Sequence, residues 1–65
     1  MFIVRKNSMG DFDYFIVKVR DTGISYGYIN DIEKATKFES KESAEIDLKR
    51  SGFLAHSGID IVRID

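Results

Sequence analysis

The strongest constraint on the fold is the alternation of side chains in the segment DYFIVKVR, residues 13–20. Apolar residues occupy one set of alternate positions, whereas aromatic, aliphatic and cationic residues share the other set. Because successive side chains of a β-strand point to opposite faces of its sheet, this pattern predicts a strand with one buried face and one open face. We expect the buried face to carry Phe15, Val17 and Val19, and the open face to carry Tyr14, Ile16, Lys18 and Arg20.

Three further strands are predicted around this one. The apolar segment MFIVR, residues 1–5, is joined to it through a turn-prone loop around residues 8–11, which favours an antiparallel hairpin. Gly23 can take the positive φ that a turn requires, and a third strand is expected at residues 24–30. The last strand is predicted at residues 59–65, where the alternation leaves the choice of buried face open.

One helix is predicted between Ser40 and Gly52. Ser40 is a good N-cap because its hydroxyl can accept a hydrogen bond from an amide of the first turn, and Gly52 can end the helix. The charged residues follow the helix dipole, acidic ones first and basic ones last: Glu42, Glu45, Lys49 and Arg50. We interpret residues 31–38, DIEKATKF, as a connection that can form a short helical turn followed by extended chain.

The predicted order β-β-β-α-β indicates a single α+β domain over residues 1–65, with one helix on one face of a three- to four-stranded, mainly antiparallel sheet. The predicted core comprises Phe2, Val4, Phe15, Val17, Val19, Ala44, Leu48, Leu54 and Val62. Since one helix covers only one face, the other face is expected to present Ile3, Arg5, Tyr14, Ile16, Lys18 and Arg20. Tyr26, Tyr28 and Arg63 join that face if the third and fourth strands have the register assumed for them, whereas in the opposite register the tyrosines belong to the core.

The size of the chain limits its core. A chain of 65 residues is near the lower limit for burying enough apolar surface to offset its conformational entropy. Disulfides, a metal ion or oligomerisation often compensate in domains this small. The sequence has no cysteine and a single histidine, His56, so we expect a homodimer and neither a metal ion nor a cofactor.

The sequence also predicts a cytoplasmic protein. Its N-terminal apolar run is far shorter than a signal peptide's hydrophobic region or a membrane span, and the lack of cysteine fits a reducing compartment. The net charge of -1 steers the chain neither towards nucleic acid nor away from it.

No arrangement of residues indicates an enzyme. Asp11 and Asp13 lack the further oxygen ligands and the glutamate of a calcium loop, and we interpret them as part of a solvated turn. His56, Ser57 and Asp60 are too close in sequence to aim their side chains at one another as a catalytic triad. The glycines are not followed by the Lys-Ser or Lys-Thr of a phosphate-binding helix start.

The segment YGYI, residues 26–29, resembles part of the RNP1 strand of RNA-recognition motifs. The leading cation and the final aromatic residue of that motif are absent, and the predicted order has no helix between the first two strands. A looser nucleic-acid interpretation stays open, in which tyrosines stack on bases and cations neutralise phosphates. Its residues are Tyr14, Tyr26, Tyr28, Arg5, Lys18, Arg20 and Arg63.

A packing pattern around the helix carries the one broader resemblance. Residues 35–40, ATKFES, place an alanine and a phenylalanine before a serine-capped helix, whose first turn holds Ala44-Glu45. In this pattern, and in its FIV, YFIVKV and GYI strands, the chain resembles small uncharacterised proteins of phages and prophages of Gram-positive bacteria. The resemblance implies an accessory role, since such proteins often bind a host protein, and inhibitors of host defence such as anti-CRISPR proteins are among them.

We therefore predict a protein-interaction module that binds a host protein, for example as an inhibitor of a host nuclease or defence complex. The alternative is a small nucleic-acid-binding accessory protein that uses a basic and aromatic sheet face. The predicted partner-binding residues are Arg5, Tyr14, Ile16, Lys18, Arg20, Tyr26 and Tyr28.

Overall fold

The computed structural model describes residues 1–53 and 58–64. The chain forms strands β1 (Phe2–Ser8), β2 (Asp11–Arg20) and β3 (Gly23–Ile29), helix α1 (Lys41–Ser51) and strand β4 (Ile59–Arg63). A single 3₁₀ turn, Ile32–Lys34, lies between β3 and α1. The four strands form one antiparallel sheet in the order β3-β2-β1-β4, so the predicted α+β class and the β-β-β-α-β order are confirmed.

Helix α1 begins and ends at the predicted signals. The Ser40 hydroxyl oxygen accepts a hydrogen bond of 3.1 Å from the backbone amide of Ser43. At the other end Gly52 has a φ of 81°, in the left-handed region that favours glycine. Ala44 and Leu48 lie one turn apart and are fully buried against the sheet, so this short helix is held by its packed face.

A split between β1 and β2 shapes the middle of the sheet. Their antiparallel register stops at the pair Arg5 and Tyr14. Beyond that pair Thr36 lies beside β2: its amide donates to the carbonyl oxygen of Phe15 at 3.2 Å, and its hydroxyl accepts from the amide of Val17 at 2.8 Å. The connection after β3 therefore continues the hydrogen bonding of β2 as far as Val17.

The same connection also pairs with β1. Phe38 and Phe2 exchange two backbone hydrogen bonds, each 2.8 Å long. Residues 36–38 thus lie between the two central strands, and Phe38 enters the core with 6% of its surface exposed. The interpretation of residues 31–38 as a helical turn followed by extended chain is confirmed.

The main core lies between α1 and the sheet and is centred on Phe15, which is fully buried. Its buried members are Val4, Phe15, Phe38, Ala44 and Leu48, and Phe2 and Val17 are partly buried against them. Six of the predicted core residues are confirmed by this cluster: Phe2, Val4, Phe15, Val17, Ala44 and Leu48. Of the other three predicted core residues, Leu54 lies outside the described residues.

The prediction that Val19 belongs to the core is wrong, because 78% of its surface is exposed. The 11 residues of α1 span about 16 Å, whereas the 10 residues of β2 span about 34 Å. The helix is too short to cover the whole strand, and Val19 lies in the part that remains uncovered.

The prediction that Val62 belongs to the core beneath α1 is also wrong. Val62 is the direct cross-strand partner of Ile3, which alternates with the core residue Val4 and therefore lies on the face opposite α1. Ile3 itself was expected to be open on that face but is only 1% exposed. It stands on a central strand with neighbours on both sides, so even the face without a helix buries apolar surface.

Candidate functional site

Tyr26 and Tyr28 lie on the helix-covered face of the sheet, so the register that would place them on the open face is wrong and the alternative, that they belong to the core, holds. They are the direct cross-strand partners of Val17 and Phe15, both of which belong to the core. The Tyr26 ring stacks on the Phe15 ring at 5.8 Å between centroids, and the Tyr28 ring stacks on that of Phe53 at 5.0 Å. Burial raises the pKa of the Tyr28 hydroxyl above its ordinary value of 10.0.

The residue pattern of β3 alone does not decide which of its faces is buried. The face of the tyrosines also carries Ile24, whereas the other face carries Gly23, Ser25, Gly27 and Ile29. Each face thus has one large aliphatic residue, and the register with β2 is what places the tyrosines beside Phe15 and Val17. An RNP1 strand presents exposed aromatic rings, whereas the rings of Tyr26 and Tyr28 pack against Phe15 and Phe53.

Arg63 also lies on the helix-covered face and not on the open one. It pairs across the strands with Phe2, whose side chain packs against the core. The four cations that the nucleic-acid interpretation grouped with the tyrosines are therefore divided between two faces of the sheet.

The remaining predicted site residues do share one face. Alternation along β2 places Tyr14, Ile16, Lys18 and Arg20 opposite α1, because Phe15 and Val17 between them face the core. Arg5 is the cross-strand partner of Tyr14 and joins the same face. The prediction of this shared face is confirmed for these five residues, and their role in binding stays a prediction.

Arg5 is engaged within its own face. Its guanidinium carbon lies 4.3 Å from the centroid of the Phe12 ring, and its Nη2 atom lies 3.8 Å from a carboxylate oxygen of Asp60 on β4. Its side chain is 34% exposed, and its Nε atom is buried. These contacts tie β1 to its two neighbouring strands, so Arg5 contributes first to the sheet itself.

The outer half of the β2–β3 hairpin, residues 18–25, forms what we call the β2–β3 arm. Its residues pair only with one another, as Lys18 with Ser25, Val19 with Ile24 and Arg20 with Gly23. Among the described residues, the pairing of β1 with β2 ends at Tyr14, and the hydrogen bonds of Thr36 to β2 end at Val17. The arm therefore extends past the rest of the sheet.

The two faces of the arm differ in chemistry. One face carries the apolar cross-strand pair Val19 and Ile24, which are 78% and 55% exposed. The other face carries Lys18 and Arg20, both exposed and without an opposing carboxylate among the described ion pairs. The sequence pattern predicts the exposure of the two cations but not that of the apolar pair, because alternation along β2 does not show where the covering helix ends.

The described residues contain no group of three acidic or imidazole side chains placed to hold a metal ion. His56 and Ser57, considered in the sequence for a catalytic arrangement with Asp60, lie outside the described part of the chain. Within residues 1–53 and 58–64, no helix is both long and apolar enough to span a bilayer.

Comparison of the chain with protein-family models, with curated proteins and with solved structures finds no match.

Proposed function

We propose that the chain is a small protein-interaction module that binds a partner protein through the β2–β3 arm and the adjoining open face. The observation that carries this proposal is the pair Val19 and Ile24, two large apolar side chains that face each other across the arm in water. Covering a valine or isoleucine side chain stabilises a complex by up to about 1.5–3 kcal/mol, so this pair is a natural anchor for a partner.

The charges of the arm indicate the chemistry of that partner. Lys18 and Arg20 lie on β2, on the face of the arm opposite to Val19 and Ile24, and both are exposed. Like-charged surfaces repel such a pair and acidic ones attract it, which sets association rate and orientation. The partner is therefore expected to offer an apolar patch bordered by carboxylates.

The backbone of the arm adds a second mode of contact. The Val17 amide points away from β3, because it donates to Thr36. The backbone amide and carbonyl of Val19, two residues later, point to the same side of β2. The described chain places no further strand there, so these two groups face outwards. An extended segment of a partner can add itself to β2 at this point by strand addition.

The protein-binding proposal is favoured over nucleic-acid binding by how the residues are distributed. The nucleic-acid hypothesis needs stacking tyrosines beside cations, but the rings of Tyr26 and Tyr28 pack against core aromatics. Arg5 contacts Phe12 and Asp60 on its own sheet. The more specific proposal, that the partner is a host nuclease or defence complex, follows from the phage resemblance alone.

The test compares the tagged full chain with two double variants. Val19→Ser with Ile24→Ser removes the apolar anchor, and the control Ile32→Ser with Ile46→Ser removes two other exposed isoleucines, 48% and 52% exposed. Proteins captured from lysate of a Gram-positive bacterium by the parent and by the control are identified and purified. Each is then titrated calorimetrically with all three chains.

A true partner is expected to lose about tenfold or more in affinity for the arm variant and to keep its affinity for the control. The proposal is contradicted if every purified partner binds the arm variant as tightly as the parent. It is also contradicted if the only ligand found is nucleic acid, whose binding weakens steeply with salt.

A further inference from the structure

Strand β4 forms one edge of the sheet, at the end opposite to β3. The carbonyl oxygen of Gly58 accepts a hydrogen bond from the amide of Asn7 on β1 at 3.0 Å. Because alternate residues of a strand direct their hydrogen-bonding groups to opposite sides, Ile59 and Ile61 direct theirs away from β1. In the part of the chain that the structure describes, no other strand pairs with this side of β4.

A groove of about 510 Å³ lies between this edge and α1. Apolar side chains of Leu48, Ile59 and Ile61 line it, and the isoleucines are only partly buried. On the helix side it is bordered by Lys41 and Glu45, which are exposed and stand one helical turn apart. The groove thus combines outward-facing backbone groups with an apolar floor and a rim that carries both signs of charge.

We propose that a second copy of this chain occupies the groove, with β4 pairing antiparallel to its counterpart around a two-fold axis at Ile61. This register sets Ile61 opposite itself, in a position where each copy's outward amide and carbonyl meet those of the other. On the helix-covered face the two Ile61 side chains then pack together, between the two copies of α1. The two sheets become one sheet of twice the width.

The charges on the rim favour a second copy over an unrelated peptide. A two-fold axis reverses the direction of the helix, so the proposed dimer can set Lys41 of one copy against Glu45 of the other, and symmetry then repeats the same pair. The rim is therefore complementary to itself, as the shared surface of a symmetric dimer must be. A peptide ligand would have to match both charges by coincidence.

The energetic need for the dimer follows from the size of the chain. A domain of 65 residues without disulfides has a small core, and pairing at β4 covers Ile59 and Ile61 of both copies. The interface uses the sheet edge opposite to β3, so it leaves the β2–β3 arm exposed. The inference goes beyond the proposed function, because either surface can act without the other.

The test is a charge-reversal series on the full-length chain, followed by sedimentation equilibrium from about 5 to 500 µM at low salt. Lys41→Glu or Glu45→Lys gives the rim a single sign and is expected to weaken the dimer by about tenfold or more. Combining both changes restores opposite signs and is expected to restore the dimer. Glu42→Lys makes the same charge change on the same helix outside the groove and should leave the dimer unchanged.

All three positions, Lys41, Glu42 and Glu45, are exposed on α1, so circular dichroism should show the same fold for every variant. A monomer at the highest concentration of the parent chain overturns the proposal. A dimer that is equally strong in the parent and in both single variants overturns it too, since that dimer must use another surface. Failure of arm variants to bind a partner has no effect on this readout.

Discussion

The inner and outer halves of the β2–β3 hairpin have similar sequences and different surroundings. In the inner half, Phe15 and Val17 face α1, and Tyr26 and Tyr28 pack beside them. In the outer half, Val19 and Ile24 continue the same alternation in water. Alternation therefore decides which face of a strand is apolar, whereas the length and position of the covering element decide how much of that face is core.

The largest expected effect separates these halves directly. Phe15→Ala removes a fully buried ring and should destabilise the fold by about 3–5 kcal/mol, most of the stability expected of a chain this size. Val19→Ala, at a position four residues further along the same face of β2, should change the free energy of unfolding by less than about 0.5 kcal/mol. Urea unfolding of both variants checks the contrast, and similar losses in the two would refute it.

The boundary between the halves depends on Thr36. Its hydroxyl accepts a hydrogen bond from the amide of Val17, so Thr36→Val leaves that half-buried amide without its acceptor. We expect a loss of about 1–2 kcal/mol in the free energy of unfolding, and a much smaller loss for Thr36→Ser, which keeps the hydroxyl. Equal losses in the two variants would show that the hydroxyl does not mark the end of the covered strand.

The two hairpin turns differ in whether glycine occupies every position of positive φ, which allows a test with a smaller expected effect. Gly23, at the base of the arm's turn, has a φ of 133°, which suits glycine. In the other turn Met9 is fully exposed and has a φ of 50°, a conformation that a methionine side chain disfavours and asparagine tolerates. Met9→Asn should therefore raise the free energy of unfolding by about 0.5–1 kcal/mol, and a decrease would contradict this geometry.

Burial of the inner half should also appear in the pH dependence of stability. Burial raises the folded-state pKa of Tyr28 above 10.0, so above pH 10 the unfolded chain releases this proton more readily than the folded one. Ionisation of Tyr28 therefore leaves the free energy of unfolding unchanged below pH 10, and lowers it as the pH rises from 10 through the folded-state pKa. Tyr28→Phe should flatten this part of the profile, and identical slopes in both chains would contradict the burial.

The sequence predicts the elements of this fold better than it predicts their faces. Local signals predict β2 and α1, because strict alternation along β2 and the caps Ser40 and Gly52 of α1 do not depend on contacts with other elements. The faces of Tyr26 and Tyr28 depend on a register with β2 that local patterns do not specify. The interruption of the sheet by residues 36–38 depends on contacts with two distant strands, and no periodicity in the sequence signals it.

The site was partly predictable for the same reason. The shared face of Tyr14, Ile16, Lys18 and Arg20 follows from alternation within one strand. The exposure of Val19 and Ile24 follows from where α1 and Thr36 stop, which is a property of the assembled domain. In the sequence, this exposure is indicated only by the difference between the lengths expected for α1 and β2.

The most direct test of this account is residue-resolved amide hydrogen exchange of the free protein, comparing Val17 with Val19. Both amides point to the same side of β2, but within the described residues only that of Val17 has an acceptor there, the Thr36 hydroxyl at 2.8 Å. We expect strong protection of the Val17 amide, and exchange of the Val19 amide close to the rate of an unstructured chain. Equal protection of the two amides would contradict it, because a covered Val19 would leave no exposed arm for a partner to bind.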